Sequence, residues 1–144
     1  MNTIIREAKP EDFDAIFALF GQLWPGKELH HGPLREVFLR GIAGQTDRYF
    51  CAQADGSIVG FCAMAIVNNF WQEGQIAYLY AMIVDAALRG QGVGTRLLEQ
   101  ASDAARMLGC KRLELDSGFP REKAHAFYEN VGFIKRAYLF SKEL

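Results

Sequence analysis

Apolar residues recur at helical spacing in two stretches that follow a short predicted strand, Thr3–Glu7. Pro10 can open the first helix, because its fixed backbone angle suits a first turn and acidic residues follow it there. Trp24-Pro25-Gly26 ends that helix, and Pro33 begins the second. The predicted buried faces are Phe13, Ile16, Phe17 and Phe20 in the first helix, and Leu34, Val37, Phe38 and Ile42 in the second.

The middle of the chain changes to a pattern typical of β-strands. Apolar runs cover Tyr49–Gln53, Ile58–Asn68 and Ile76–Val84. Asp-Gly in the connection 54–57 is a strong hairpin signal between the first two runs, and a turn near Glu73-Gly74 precedes the third. We therefore predict a block of antiparallel strands here.

Helical spacing returns after this block. The predicted helix ends at Gly109, a natural C-terminal cap, and its apolar stripe is Val93, Leu97, Leu98, Ala101, Ala105 and Leu108. A short strand Arg112–Leu115, a helix Lys123–Asn130 and a last strand Phe133–Ser141 complete the order βααβββαβαβ. This order predicts an α/β fold with a mixed sheet: antiparallel hairpins first, then β-α-β-α-β, with helices on both faces. At 144 residues we expect a single domain, 1–144.

Charge and hydropathy narrow the classes of partner. Sixteen basic residues face 17 acidic ones, for a net charge of −1, whereas nucleic-acid binding needs a basic surplus. The longest apolar stretch, Ala77–Val84, is too short to span a membrane, and the N-terminus does not resemble a signal peptide. We expect a soluble, cytoplasmic protein that binds neither nucleic acid nor membrane.

Three cysteines, Cys51, Cys62 and Cys110, form an odd set without metal-type spacing. We expect buried or partly buried thiols in a reducing compartment, and no metal. No histidine lies near a cysteine in a recognisable catalytic arrangement, so a covalent thiol mechanism is not predicted.

The segment most informative about function is the glycine-rich turn after the predicted strand Ile76–Val84. Its alternate glycines remove side chains where the backbone bends, and a helix begins directly behind them. The free N–H groups of a helix N-terminus bind anions, best a phosphate or pyrophosphate, and Arg89 adds forked donors. A P-loop would need a lysine after Gly94, and a dinucleotide fingerprint would need glycine at Thr95.

Two motifs resemble the signatures of the GCN5-related N-acetyltransferases. Arg89–Gly94 matches the Q/R-x-x-G-x-G/A signature, and residues 124–133 resemble the second one, which ends in Tyr-Glu-x-x-Gly-Phe. The element order around both motifs also fits, so the resemblance covers nearly the whole chain. The C-terminal residues 137–144 and the Ala-His-x-Phe-Tyr helix look like small bacterial enzymes that acetylate aminoalkylphosphonates or aminoglycosides, a loose likeness that does not identify the acceptor.

The resemblance implies that acetyl-CoA is the cosubstrate and that the acetyl group passes directly to an amine. The strand residues Met82, Ile83 and Val84 would lie along the pantetheine arm, and one N–H there would stabilise the oxyanion. Tyr128 would donate a proton to the leaving thiolate, since a phenol with a pKa near 10 is protonated at pH 7. The residues that would hold the pyrophosphate are Arg89, Gly90, Gln91, Gly92, Val93, Gly94 and Thr95.

Two positions depart from the family pattern. Members often carry a glutamate near the position of Tyr80, but Ile76–Met82 contains no acid. The candidates for a base or water relay are therefore Glu73, Asp116 and Tyr80. Arg121 stands three residues before Ala124, where the family often has asparagine, and would either contact a coenzyme A phosphate or lie in solvent.

In this family the acceptor enters between the loop that joins the first two helices and the sheet. The aromatic and acidic side chains there suit a cationic amine, although the aromatic residues would also serve to close the core. His30 and His31 are expected to be solvent-exposed loop residues. The residues concerned are Trp24–His31, Phe70, Trp71, Tyr78 and Tyr80, with Glu28 and Glu73 as the acids.

We therefore predict an N-acetyltransferase for the primary amine of a small molecule. Acetylation of a protein N-terminus or lysine stays open as an alternative. So does a non-catalytic coenzyme A-binding sensor, because no base is certain. A homodimer is expected only by analogy with the family.

Overall fold

The computed structural model describes residues 2–144, which fall into two compact units, one ending at Glu114 and the other comprising Leu115–Leu144. The helices are α1 (Phe13–Leu23), α2 (His31–Ala43), α3 (Val93–Met107) and α4 (Glu122–Asn130). The strands are β1 (Thr3–Glu7), β2 (Asp47–Ala54), β3 (Ser57–Asn69), β4 (Gly74–Val84) and β5 (Leu113–Leu115). One-turn 3-10 helices at Pro10–Asp12 and Ala86–Leu88 precede α1 and α3. The single domain 1–144 stays a prediction.

The five strands form one sheet in the order β1-β2-β3-β4-β5. Strands β1 to β4 pair antiparallel. Between β4 and the start of β5, the Lys111 N–H donates to the Gln75 carbonyl at 2.8 Å, and the Ala77 N–H donates to the Arg112 carbonyl at 2.9 Å. These bonds advance along both chains in the same direction, as in a parallel pair. The mixed sheet confirms the predicted fold class.

The predicted hairpin connects β2 and β3. Its two loop residues, Asp55 and Gly56, have φ angles of 50° and 86°. Two successive positive angles are those of a type I′ turn, whose twist matches that of the paired strands and which favours Asp-Gly. The local sequence therefore determines this connection.

Helices cover both faces of the sheet in the first unit. Leu97 of α3 packs on one face, where a Cβ built on Gly60 of β3 would lie 3.0 Å from its Cδ1. Helices α1 and α2 pack on the other face, in a cluster of buried side chains with the central strands. This cluster comprises Phe13, Ile16, Leu19, Phe20, Phe38, Tyr49, Cys51, Phe61, Ala63, Ala81 and Ile83.

The helix boundaries differ in detail from the prediction. Helix α2 begins at His31 rather than Pro33, which is possible because a first-turn N–H has no helical partner for proline to remove. Val37 is exposed, whereas Phe38 and Gly41 are buried, so the predicted apolar face is wrong at Val37. Helix α3 ends as predicted, since Gly109 takes the left-handed conformation with φ 79°.

The predicted strand Phe133–Ser141 is wrong. Beyond α4, the second unit contains no strand, and Ile134, Tyr138 and Phe140 are exposed. Apolar residues at 133–134 and 137–140 flank the charged pair Lys135-Arg136, so the segment lacks the period-two alternation that buries one face of a strand. The observed order therefore ends at α4.

The cysteines are buried or partly buried, as predicted. Cys51 and Cys62 are buried, and Cys110 is partly exposed. Burial raises the pKa of Cys51 and of Cys62 to about 12. Because the thiolate is the reactive form, these two thiols are poor nucleophiles at neutral pH.

None of the helices in residues 2–144 has both the length and the apolar character that crossing a membrane requires.

Candidate active site

Strand β4 carries a bulge at Tyr80. Ala81 pairs with Ala63 of β3 and Leu79 pairs with Met64, so Tyr80 has no Cα partner on β3. An extra residue of this kind bends the strand and interrupts its alternation. Tyr80 and Ala81 accordingly both pack on the side of the sheet that α1 and α2 cover.

Beyond the bulge, β4 presents backbone groups on the side away from β3. The Asp85 N–H donates to the Val59 carbonyl of β3 at 2.8 Å, and alternate residues of an antiparallel ladder bond to the same neighbour. Ile83 therefore bonds toward β3, whereas Met82 and Val84 direct their N–H and C=O groups to the opposite side. On that side β5 is only three residues long and, because Ala77 bonds to Arg112, it ends near the level of the bulge.

This geometry refines the predicted cofactor strand. Met82 exposes its N–H and C=O groups along an open edge of the sheet, and Val84 exposes its N–H, while the Val84 carbonyl accepts from Arg89 Nε. Ile83 differs, since its backbone bonds toward β3 and its side chain is part of the core. The position of Ile83 along a pantetheine arm stays a prediction.

The turn after β4 is held by hydrogen bonds to its backbone. The Asp85 carboxylate accepts from the Ala87 N–H at 3.0 Å, and Gln22 of α1 accepts from the Ala86 N–H at 2.9 Å. Gly90 and Gly92 have φ angles of 81° and 84°, a region that side chains disfavour. No atom lies within 4 Å of the place where a Cβ would stand on either glycine, so the space beside them is open.

Helix α3 begins directly after Gly92, which provides no side-chain cap. The Arg96 N–H donates to the Gly92 carbonyl at 3.1 Å and starts the helical ladder. The N–H groups of Val93, Gly94 and Thr95 precede it and have no partner of that kind. Together with the helix dipole, these groups favour an anion at this end of α3.

Arg89 lies where the strand meets the turn. Its Nε donates to the Val84 carbonyl at 3.0 Å, which holds the guanidinium close to the last residue of β4. Gln91 is exposed between the two left-handed glycines. The structure thus brings the predicted pyrophosphate residues 89–95 together at the end of the open edge.

A chain of hydroxyl groups connects the bulge to β2. The Tyr80 hydroxyl bonds to the Asp47 carboxylate and lies 2.7 Å from the Tyr49 hydroxyl. Burial raises the pKa of Tyr80 well above its usual value, and the bond to Asp47 raises it further. Burial also raises the pKa of Tyr49. Both side chains are therefore neutral phenols at neutral pH.

The sequence analysis missed Asp47 and Tyr49. Asp47 follows Gln45-Thr46 and is typical of a turn residue before a strand, so its type alone gave no signal. Tyr49 lies in a predicted strand. Its hydrogen bond to Tyr80 depends on the bulge in β4, which the hydrophobic pattern does not predict.

Glu73 lies apart from this chain of hydroxyl groups. It occupies the turn before β4 with φ 53° and is exposed. Seven residues of extended strand separate it from Tyr80, a distance of about 23 Å. Phe70 and Trp71, in the same turn, are 102% and 83% exposed, so these predicted acceptor residues do not join Tyr80.

The connection between α1 and α2 holds the other predicted acceptor residues. The ring of Trp24 packs on Phe20 with centroids 5.2 Å apart. His31 is the first residue of α2, not a loop residue, and its Nε2 lies 2.7 Å from the Asp14 carboxylate of α1. Glu28 is exposed in the loop. His31 therefore helps to join two helices; it is solvent-exposed, as predicted, and only its expected loop position is wrong.

The second unit contains the predicted acid. Tyr128 is a buried residue of α4, and its ring lies 5.4 Å from that of Phe127 and 5.7 Å from that of Phe133. Arg121 is exposed at the N-cap of α4, where its N–H donates to the Gly118 carbonyl at 3.1 Å. Asp116 is exposed directly after β5. The roles of these three residues stay predictions.

The sheet with an open edge leads into a glycine turn at a helix N-terminus, an arrangement that favours a phosphate or another anion. The sequence matches the Acetyltransferase (GNAT) family over residues 10–133. The chain belongs to this family, and it is an N-acetyltransferase.

Known relatives agree with this assignment. The chain is 29% identical over 140 residues to the aminoalkylphosphonate N-acetyltransferase of Salmonella typhimurium, covering 97% of this chain and 90% of that protein. It is 30% identical over 131 residues to the glucosamine 6-phosphate N-acetyltransferase of Trypanosoma brucei brucei, covering 90% of this chain and 87% of that protein. The structure of the aminoglycoside antibiotic 6'-N-acetyltransferase AAC(6')-Ih from Acinetobacter baumannii superposes with a TM-score of 0.84 at 20% identity, covering 99% of each chain, and supports the fold.

Proposed function

We propose that the protein transfers the acetyl group of acetyl-CoA directly to the primary amine of a small molecule. The observation that carries this proposal is the continuity of the open β4 edge with the glycine turn. Met82 offers its N–H and C=O groups, and Val84 its N–H, to the amide groups of a pantetheine arm, while Arg89 holds the Val84 carbonyl. The N–H groups at the start of α3 then lie where the pyrophosphate of the same molecule would follow.

The residues of this chain suit direct transfer. In such a reaction the amine nitrogen forms a bond to the thioester carbon, and the carbon–sulfur bond breaks. An N–H of the open edge, such as that of Met82, would stabilise the oxyanion that develops on the carbonyl. The hydroxyl of Tyr128 would give its proton to the leaving thiolate. No covalent enzyme intermediate is needed, in keeping with the protonated state of Cys51 and Cys62.

The acceptor is proposed to be a small amine. The two curated relatives are named for an aminoalkylphosphonate and for glucosamine 6-phosphate, which both combine a primary amine with a phosphorus oxyanion. On this chain, Tyr78 and Tyr80 lie on one face of β4 with ring centroids 6.3 Å apart. Aromatic faces of this kind attract a cationic amine.

The test is thiol release from acetyl-CoA by the purified protein across a panel of amines. The panel contains aminoalkylphosphonates, hexosamine phosphates, aminoglycosides, polyamines, amino acids and short peptides. We expect release that depends on a small amine. Release with peptides alone would overturn the proposed acceptor class. Binding of acetyl-CoA without release on any amine would favour the sensor alternative.

Three further expectations belong to this proposal. The net charge of −1 supports small molecules rather than nucleic acid as partners. A cytoplasmic location and a homodimer are proposed by analogy. Light scattering of the purified protein would measure the oligomeric state.

A further inference from the structure

The hydroxyl chain of Tyr49, Tyr80 and Asp47 lies on the same side of the sheet as α1 and α2. Its members come from β2 and β4, with β3 between them. The phenol of Tyr80 can cross β3 because the β3 residue in register with Tyr49 and Ala81 is the small Ala63. The bulge supplies the orientation, since it turns Tyr80 and Ala81 to the same side.

The hydrogen bonds of this hydroxyl chain run in a defined direction. A carboxylate only accepts hydrogen bonds, so the Tyr80 hydroxyl must donate its single proton to Asp47. The Tyr49 hydroxyl must then donate to the Tyr80 oxygen, 2.7 Å away. A phenol oxygen has two lone pairs, and one of them is left for a further donor. Asp47 also accepts from the Thr46 hydroxyl at 3.0 Å through its other oxygen.

The main chain of Tyr80 lies close to the open edge of β4, and its hydroxyl is directed across β3 toward β2. Tyr80 stands two residues before Met82, a separation of about 7 Å along the strand. Tyr80 and Asp47 are both partly exposed, so this hydroxyl chain reaches the surface of the first unit. The neighbouring ring of Tyr78 covers the side of Tyr80.

We infer that Asp47 takes the proton of the acceptor amine during acyl transfer, through the hydroxyl of Tyr80. The inference rests on the proposed acetyl transfer and names the base that it lacks. The nitrogen–hydrogen bond of the attacking amine breaks, and its proton forms a new bond to the Tyr80 oxygen. At the same time the original Tyr80 proton moves to the Asp47 carboxylate. The nitrogen keeps its electron pair for the bond to carbon, so charge and atoms balance. Asp47 acts through Tyr80, and Tyr49 holds the phenol in line.

Two arginines lie near these groups. Arg48 Nη1 bonds to the Asp47 carbonyl at 2.9 Å, and Arg40 of α2 acts on Tyr49. Because arginine stays charged across the accessible range, neither adds a titration of its own to the pH–rate profile.

The test compares Asp47→Asn with Asp55→Asn in amine-dependent thiol release. Asp47 is the first residue of β2, and Asp55 directly follows the strand. Asp55 has a positive φ in the hairpin, which asparagine tolerates. We expect Asp47→Asn to lower kcat by about 100-fold with little change in the KM for acetyl-CoA, and Asp55→Asn to match the parent. The lost rate should return in part as the pH rises, since hydroxide can replace the missing proton acceptor.

A second comparison separates this role from a structural one. Tyr80→Phe removes the relay while keeping the ring, and the double variant with Asp47→Asn should be no slower than either single one, because both break the same path. Full activity of a folded Asp47→Asn variant with the parent pH profile would overturn the inference. Multiplicative losses in the double variant would also overturn it. If Asp47→Asn does not fold, full activity of Tyr80→Phe is the contradicting result. If the proposed acetyl transfer itself is wrong, the parent protein will release no thiol with any amine. This result differs from those that overturn the role of Asp47.

Discussion

The hydroxyl of Tyr49 occupies the space that a side chain on Gly41 would need. A Cβ built on Gly41, in the last turn of α2, would lie 1.9 Å from the Tyr49 oxygen and 2.3 Å from the adjoining ring carbon. Glycine in a helix interior is normally a weakness. Here it lets α2 approach β2 closely enough for Tyr49 to reach Tyr80.

Substitution of Gly41 by alanine should therefore destabilise the protein. The added methyl must displace a buried ring, at a cost of about 1–3 kcal/mol, which outweighs the gain in helix propensity of about 0.5–1 kcal/mol. Urea unfolding measures the difference. Gly21→Ala in α1 is the matched control, because nothing lies within 4 Å of its Cβ position, and it should stabilise the protein. Equal effects at both positions would contradict the close packing.

Gly92→Ala should weaken acetyl-CoA binding. Alanine in the left-handed conformation costs about 1–2 kcal/mol, and its methyl would project into the open space beside the first N–H groups of α3. Calorimetric titration should show at least a tenfold loss of affinity. Gly26→Ala has a matching φ of 83° outside the turn, so it should lower stability similarly and leave cofactor affinity unchanged. Loss of affinity in both variants would point to strain alone.

Tyr128→Phe should slow transfer without weakening acetyl-CoA binding. Loss of a positioned general acid typically costs 100-fold or more, so we expect kcat to fall by about 100-fold. Tyr138→Phe removes a phenol that is 75% exposed in the same unit and should have no effect. An unchanged rate for Tyr128→Phe would remove this residue from the mechanism.

Asp12 should make stability depend on pH at the acid end. Two hydrogen bonds from Arg6, at 2.8 and 2.9 Å, hold the pKa of this buried carboxyl below its usual value of 3.8. A lowered folded-state pKa contributes stability that is fully present above the unfolded pKa and is lost as the pH falls through the folded pKa. Asp12→Asn should thus cost about 1.5–3 kcal/mol at pH 7, and the difference from the parent should shrink below about pH 4. Denaturant unfolding between pH 2 and 7 measures this difference.

Local chemistry explains which parts of the fold the sequence predicted. The Asp-Gly hairpin, the α3 stripe ending at Gly109 and the glycine turn each depend on residues that are close together in the chain. The last strand failed because a cluster of apolar residues at 137–140 was taken as a strand, although it lacks alternation. An apolar segment has a face to bury only when its period matches its conformation.

The geometry of the candidate site could be predicted at the glycine turn, and could not at the contact between Asp47 and Tyr80. Residues 82–95 are continuous, so their motif and their geometry coincide, except that Ile83 turns toward β3. The contact between Asp47 and Tyr80 joins positions 33 residues apart across an intervening strand. Only the register of β2, β3 and β4, together with the bulge, brings them together.

The bulge also means that Tyr80 is a residue that the sheet does not require. On either side of it, β4 pairs with β3 in regular steps, from Asn69–Gly74 to Met64–Leu79 and from Ala63–Ala81 to Gly60–Val84. Without residue 80, Leu79 and Ala81 would become neighbours in one continuous register, and every other side chain of β4 would keep its face. Deletion of another residue inside β4 would shift the register on one side of the deletion, so that buried side chains there would turn to the opposite face. Position 80 is in effect an insertion, and its phenol is the side chain that this insertion adds to the protein.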